Sequence, residues 1–147
     1  MNTRTITISK NSEIHTVITH SEPETYGYAQ KLVSKFSGGD VLALTGDLGA
    51  GKTAFTKGIA KALGVKNTVT SPTFVIMKIY DVPAGHDTIS QLCHVDAYRL
   101  TSGHDLEDIG IKDYMNDKHT ITIIEWAEHI KDIIPPDAIW IHFEHSI

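Results

Sequence analysis

The chain has 147 residues, 41% of them hydrophobic, and a formal net charge of −5. That length suits one domain with a real core and leaves no room for an appended lid or substrate domain. The acidic balance argues against a protein that grips nucleic acid by its own field, and a single cysteine, Cys93, excludes an internal disulfide or a multi-cysteine metal site.

In chain order, Thr3 to Ser9 and Ile14 to Thr19 alternate as short strands. Ser21-Glu22-Pro23-Glu24 has the S-x-x-E form of a capping box, with proline in the first turn. Tyr26, Ala29, Leu32, Val33 and Phe36 then recur at helical spacing, so a helix is expected to about Ser37, stopping at Gly38-Gly39. Asp40 to Thr45 has the form of a buried parallel strand.

Directly after that strand, Gly46-Asp47-Leu48-Gly49-Ala50-Gly51-Lys52-Thr53 reads G-x-x-x-x-G-K-T, a phosphate-binding loop. Its glycines let the backbone curl until several N–H groups point at phosphate oxygens. Lys52 reaches the β- and γ-phosphates, and the Thr53 hydroxyl is placed to ligate Mg²⁺. Ala54 to Leu63 follows as a helix whose positive N-terminal end faces the phosphates. Strand, loop and helix in this order make nucleotide binding the reading, against a glycine-rich turn that binds nothing.

Ser71-Pro72-Thr73 is a stiffened turn with two hydroxyls, either a switch responding to phosphate or an ordinary strand start. Phe74 to Tyr80 is strand-like, Asp81 to His86 breaks the pattern, and Thr88 to Asp96 resumes it. That is a hairpin, and its antiparallel pairing predicts a mixed sheet. Cys93 sits in this alternation as a small core residue. Thr101 to Tyr114 reads as a loop and short helix, Thr120 to Glu125 as a buried strand, and Ala138 to Phe143 as the last strand, set off by Pro135-Pro136. No repeat or long linker marks a boundary, so one domain over 1–147 is expected. No signal-peptide pattern or membrane-length apolar run appears either, and the expected location is the cytoplasm.

A phosphate loop needs an acid near its magnesium, usually at the end of an apolar strand beside the loop strand. Two acids have that form: Asp96 after Leu92-Cys93-His94-Val95, and Glu125 after Ile121-Thr122-Ile123-Ile124. Spacing does not choose between them; one suits the metal and the other the attacking water or the γ-phosphate. Trp126 reads as a core or interface aromatic ahead of an adenine platform. The nine histidines are scattered, with no H-E-x-x-H, and do not form a metal pattern. Arg99 reads as a salt-bridge residue ahead of an arginine finger in cis, so slow turnover in isolation is expected.

Taken together, the phosphate loop, Ser71-Pro72-Thr73-Phe74, His94-Val95-Asp96-Ala97-Tyr98-Arg99-Leu100 and Glu125-Trp126 resemble the TsaE (YjeE) family in order and spacing. Glu107-Asp108-Ile109-Gly110 and Asp113-Tyr114 fit the same pattern. The resemblance, from about Ser21 to Ile134, implies an α/β fold: a single P-loop NTPase-type domain with a mixed central β-sheet flanked by helices. It also implies a Mg²⁺-dependent ATPase of tRNA threonylcarbamoyladenosine synthesis, with TsaD and TsaB as partners and tRNA met only indirectly. Carried over by position, Asp47, Leu48, Gly49, Ala50, Gly51, Lys52 and Thr53 bind nucleotide, with Thr25 near the base. Thr53 and Glu125 become the Mg²⁺ ligands, Asp96 an acid near the γ-phosphate, and Ser71 and Thr73 part of a nucleotide-responsive segment. The rival readings are a small-molecule kinase, disfavoured by the missing lid, and a nucleotide-gated binding module whose hydrolysis is incidental.

Overall fold

Seven strands in the order β2-β1-β7-β3-β6-β5-β4 form one mixed sheet in the computed structural model. The structure describes residues 3–47, 49–66, 69, 76–83 and 88–146, so Leu48 and the Ser71-Pro72-Thr73-Phe74 segment lie outside the described residues. In chain order the strands are β1 (Thr3–Lys10), β2 (Glu13–Thr19), β3 (Val41–Gly46), β4 (Met77–Asp81), β5 (Gln91–Asp96), β6 (Thr120–Glu125) and β7 (Ile139–Ser146). Strands β7, β3, β6 and β5 run parallel, while β1 and β2 on one side and β4 on the other pair antiparallel. The expected hairpin is therefore β4–β5, with Tyr80 opposite Leu92. The β1–β2 turn places Asn11 and Ser12 at φ 50° and 70°, the left-handed pair that a two-residue turn between twisted strands requires.

Both faces of the central strands are buried, which explains their nearly continuous apolar sequence. Leu42 and Leu44 point to one face with Phe55, Ile59, Ile121, Ile123 and Phe143. Val41 and Ala43 point to the other with Cys93, Val95, Leu106, Ile111, Ile124 and Ile130. The period-two alternation of a strand thus feeds two separate layers of packing.

Helices α1 (Glu22–Leu32) and α2 (Lys52–Ala62) cover the first face. The Ser21 hydroxyl accepts from the Glu24 N–H at 3.2 Å, and the Glu24 carboxylate accepts from the His20 N–H at 2.6 Å, so the capping motif forms at the predicted place. Gly58 lets the two helices approach closely, because a Cβ there would strike the Tyr26 carbonyl and the Ala29 methyl. Short helices α3 (His104–Asp108) and α4 (Ile111–Met115), with a 3₁₀ segment at Ala127–Ile133, cover the second face. No described helix is long and apolar enough to cross a membrane.

Candidate nucleotide and metal site

The cleft lies at the C-terminal ends of the parallel strands, where such sheets bind ligands. At the end of β3 the chain turns sharply at Gly46, with φ at +128°. A side chain there would collide with the Phe143 carbonyl on β7, so glycine is required by space as well as by dihedral. Gly51, at φ +108°, is the last residue before α2 and leaves the helix's first N–H groups facing the cleft. The helix begins at Lys52, two residues before the apolar periodicity shows it.

Lys52 is buried, and its Nζ donates to the Gly46 carbonyl at 2.5 Å and the Asp47 carbonyl at 2.8 Å. The same ammonium lies 4.1 Å from the centre of the Trp126 ring, within cation–π range. Burial lowers the Lys52 pKa, while the charges of Glu128, Glu125, Asp47 and Asp96 oppose that shift. Four acids thus face one amino group, and incoming phosphates must compete with their field.

The two acids identified from the sequence sit side by side. Register pairs Asp96 of β5 with Glu125 of β6, and β6 itself is hydrogen-bonded to β3. Glu125, on the strand beside the loop strand, therefore holds the position expected of a metal-side acid. It is 2% exposed, yet both oxygens are engaged: Oε1 accepts from the Thr53 hydroxyl at 3.1 Å, and Oε2 lies 2.6 Å from His94 Nε2. Asp96 accepts from the Tyr98 N–H at 3.0 Å and lines the cleft. The cleft has a volume of about 270 Å³, with Gly49, Gly51, Lys52, Thr53, Asp96 and Glu125 in its walls.

This donor set fits Mg²⁺. A hydroxyl and a carboxylate in contact at the start of α2 are hard oxygen donors, and Asp96 adds a third oxygen source in the same cleft. Among the described residues no group of three or more His, Cys, Asp or Glu forms a self-sufficient metal cage. That pattern matches a cation that dehydrates reluctantly and is held jointly by one or two side chains, phosphate oxygens and water.

The remaining expected residues lie around this centre in varied settings. Thr25 is fully buried, and its hydroxyl bonds to the Thr19 hydroxyl at 2.7 Å and the Ser21 carbonyl at 3.2 Å. Its methyl group underlies Gly51, so it shapes the floor of the loop. Asp47 and Gly49 are exposed and Ala50 is buried; Leu48, Ser71 and Thr73 fall outside the described residues. Arg99 is exposed and outside the cleft walls. Trp126 lies at the lysine end of the cleft, its ring centre 4.9 Å from that of Tyr98 and tilted 57° to it, with its backbone in the left-handed region at φ 60°. For so bulky a residue that conformation costs of order 1–3 kcal/mol, and it turns the chain away at the end of β6.

Two residues near the site were given no role of their own by the sequence, although His94 belongs to one of the segments that carry the family resemblance. His94 lies in an alternating strand, where a histidine looks like core. Glu128 places Oε2 3.4 Å from the Gly46 N–H and is the strongest charge acting on Lys52, but it belongs to a 3₁₀ segment without helical periodicity. The one available signal was its position three residues past Glu125.

Fold and cleft together define a class: an α/β protein of the phosphate-loop type with an acid-bearing strand beside the loop strand. Residues 19–147 match the family model described as threonylcarbamoyl adenosine biosynthesis protein TsaE. A relative from Bacillus subtilis (strain 168), named tRNA threonylcarbamoyladenosine biosynthesis protein TsaE, is 41% identical over 120 residues, covering 81% of this chain and 71% of its own. One of the same name from Aquifex aeolicus (strain VF5) is 40% identical over 122 residues, covering 80% and 82%. Among solved structures, a crystal structure of Bacillus subtilis YdiB superposes with a TM-score of 0.67 at 31% identity, covering 97% of this chain and 77% of that one. The chain belongs to the TsaE family.

Proposed function

We propose that this chain is a single-domain, cytoplasmic, Mg²⁺-dependent ATP hydrolase. It serves threonylcarbamoyl modification of adenosine 37 in tRNAs reading ANN codons, by acting on or resetting a complex of TsaD and TsaB type proteins. The relatives' names supply the pathway. The observation that carries the hydrolase reading is the Thr53–Glu125 contact at the end of the phosphate loop, with Asp96 beside it in register.

The chemistry follows from placement. Loop N–H groups and the start of α2 bind the β- and γ-phosphates. Lys52 exchanges its bonds to the Gly46 and Asp47 carbonyls for phosphate oxygens and neutralises charge on the transferring group. Thr53 and Glu125 would hold Mg²⁺, which when bound screens the charge on the phosphate oxygens. Asp96, in the cleft wall, orients the water for in-line attack. Exposed Arg99 stands outside the cleft, so a charge-stabilising group from a partner completes the site.

Steady-state phosphate release tests this reading. The isolated protein is expected to turn over slowly and to accelerate when TsaD and TsaB type proteins are added, with Glu125→Gln abolishing both rates. Fast release by the isolated protein, unmoved by partners, would contradict it.

A further inference from the structure

We propose that His94 is a positioning residue for the metal-side acid: its Nε2–H holds one oxygen of Glu125 from behind, so that the other faces Thr53 and the cation. This rests on reading Glu125 as a metal ligand. His94 follows Leu92 on the same face of β5, and Glu125 follows Ile123 on the same face of β6. Leu92 and Ile123 continue into the apolar layer under α1 and α2, so a leucine at position 94 would simply extend it. Instead the chain buries an imidazole completely, 2.6 Å from Glu125 Oε2.

Burial of an imidazole costs desolvation, and here its return is that one bond. His94 Nδ1 is buried with no partner among the described residues. An N–H at that atom would be an orphan donor, so the hydrogen belongs on Nε2, the nitrogen that faces the carboxylate. The Nε2–H then donates to Glu125, and the carboxylate is gripped at both ends, by His94 on Oε2 and by the Thr53 hydroxyl on Oε1. Two anchors fix both the position and the plane of the carboxylate. Without the rear anchor the group is free to rotate, and the oxygen set offered to a small cation with strict octahedral demands becomes variable. His94 is absent from the cleft walls, so it acts through Glu125 alone.

The test is ATP affinity measured by calorimetry with Mg²⁺ and again with EDTA, comparing wild type, His94→Leu and His94→Gln. Wild type is expected to gain affinity from Mg²⁺. His94→Leu should keep the EDTA value and lose roughly 10- to 100-fold of the Mg²⁺-dependent gain, the usual size for an outer partner of a metal ligand. His94→Gln, whose amide N–H reaches in the same direction, should recover most of it. A folded His94→Leu with the full gain overturns the proposal. If His94→Leu does not fold, a folded His94→Gln lacking the gain overturns it, and one retaining the gain supports it. A wild type with no gain from Mg²⁺ would instead sink the metal reading itself.

Discussion

The four parallel strands and the antiparallel margins of the same sheet are built on opposite terms. Strand β6 is buried at every position and β3 at all but one, whereas β2 is exposed at five of its seven. Lys52, His94 and Glu125 are each 5% exposed or less, with Lys52 and Glu125 in the cleft wall and His94 behind Glu125, while the other buried polar groups of β6 are the small threonines Thr120 and Thr122. At the margin the reverse holds, with Ile14 66% exposed and Ile18 55% exposed on an edge strand. Burial on both faces is what gives the central strand ends a rigid frame, and rigidity is what a phosphate and metal site needs. The margin completes the sheet without setting the chemistry.

This contrast can be broken most directly by truncation. Ile123→Ala in β6 should cost about 2–5 kcal/mol of folding free energy by urea denaturation, because the cavity opens between β3, β5 and α2. Ile18→Ala on β2 should stay within about 0.5 kcal/mol. Equal costs would mean that the margin is packed against something in solution and that the contrast is false.

A smaller effect sharpens the electrostatics of the centre. Glu128→Gln removes the strongest charge facing Lys52 and one carboxylate beside Gly46. ATP affinity should rise about threefold to tenfold, an electrostatic term of about 1 kcal/mol, and the gain should shrink with added salt. Weaker ATP binding by this variant would show that Glu128 supports the loop more than it opposes the phosphates.

The smallest effect lies away from the cleft, at the turn into β6. The His119 N–H and the Thr120 hydroxyl bond to Asp117 and hold its carboxyl below the ordinary aspartate value. A depressed folded-state pKa gives stability that is present above the unfolded value and lost as pH falls through the folded one. Asp117→Asn should therefore be slightly less stable than wild type at neutral pH, with the difference fading below about pH 3.8. A difference independent of pH would assign the effect to turn geometry alone.

What was legible in the sequence was local. The capping motif at Ser21 depends on neighbours within a few residues and formed where expected, and the antiparallel β4–β5 pair follows from two strand-like runs close in the chain. Which of Asp96 and Glu125 stands on the strand beside the loop strand depends on strand order, and order is set by contacts far apart in the chain. Insertion of β7 between β1 and β3 is such a contact, and it also extends the last strand to Ser146 by pairing it with Thr3. The 3₁₀ segment after β6 was hidden because Trp126 enters it through a left-handed turn and Ile130 leaves helical geometry inside it. Thr25 carries no mark of burial in its local sequence; only the packing of α1 beneath Gly51 reveals that its hydroxyl is spent inside the fold.

The central claim is that this cleft's nucleotide cycle serves tRNA modification. Reconstituting threonylcarbamoyladenosine formation with TsaD and TsaB type proteins, tRNA and a threonylcarbamoyl donor tests it, with the wild-type chain set against Lys52→Ala. The account predicts sustained modification with wild type and a collapse to the level without this protein for Lys52→Ala. Equal modification by the two, with Lys52→Ala shown to have lost ATP binding, would contradict it.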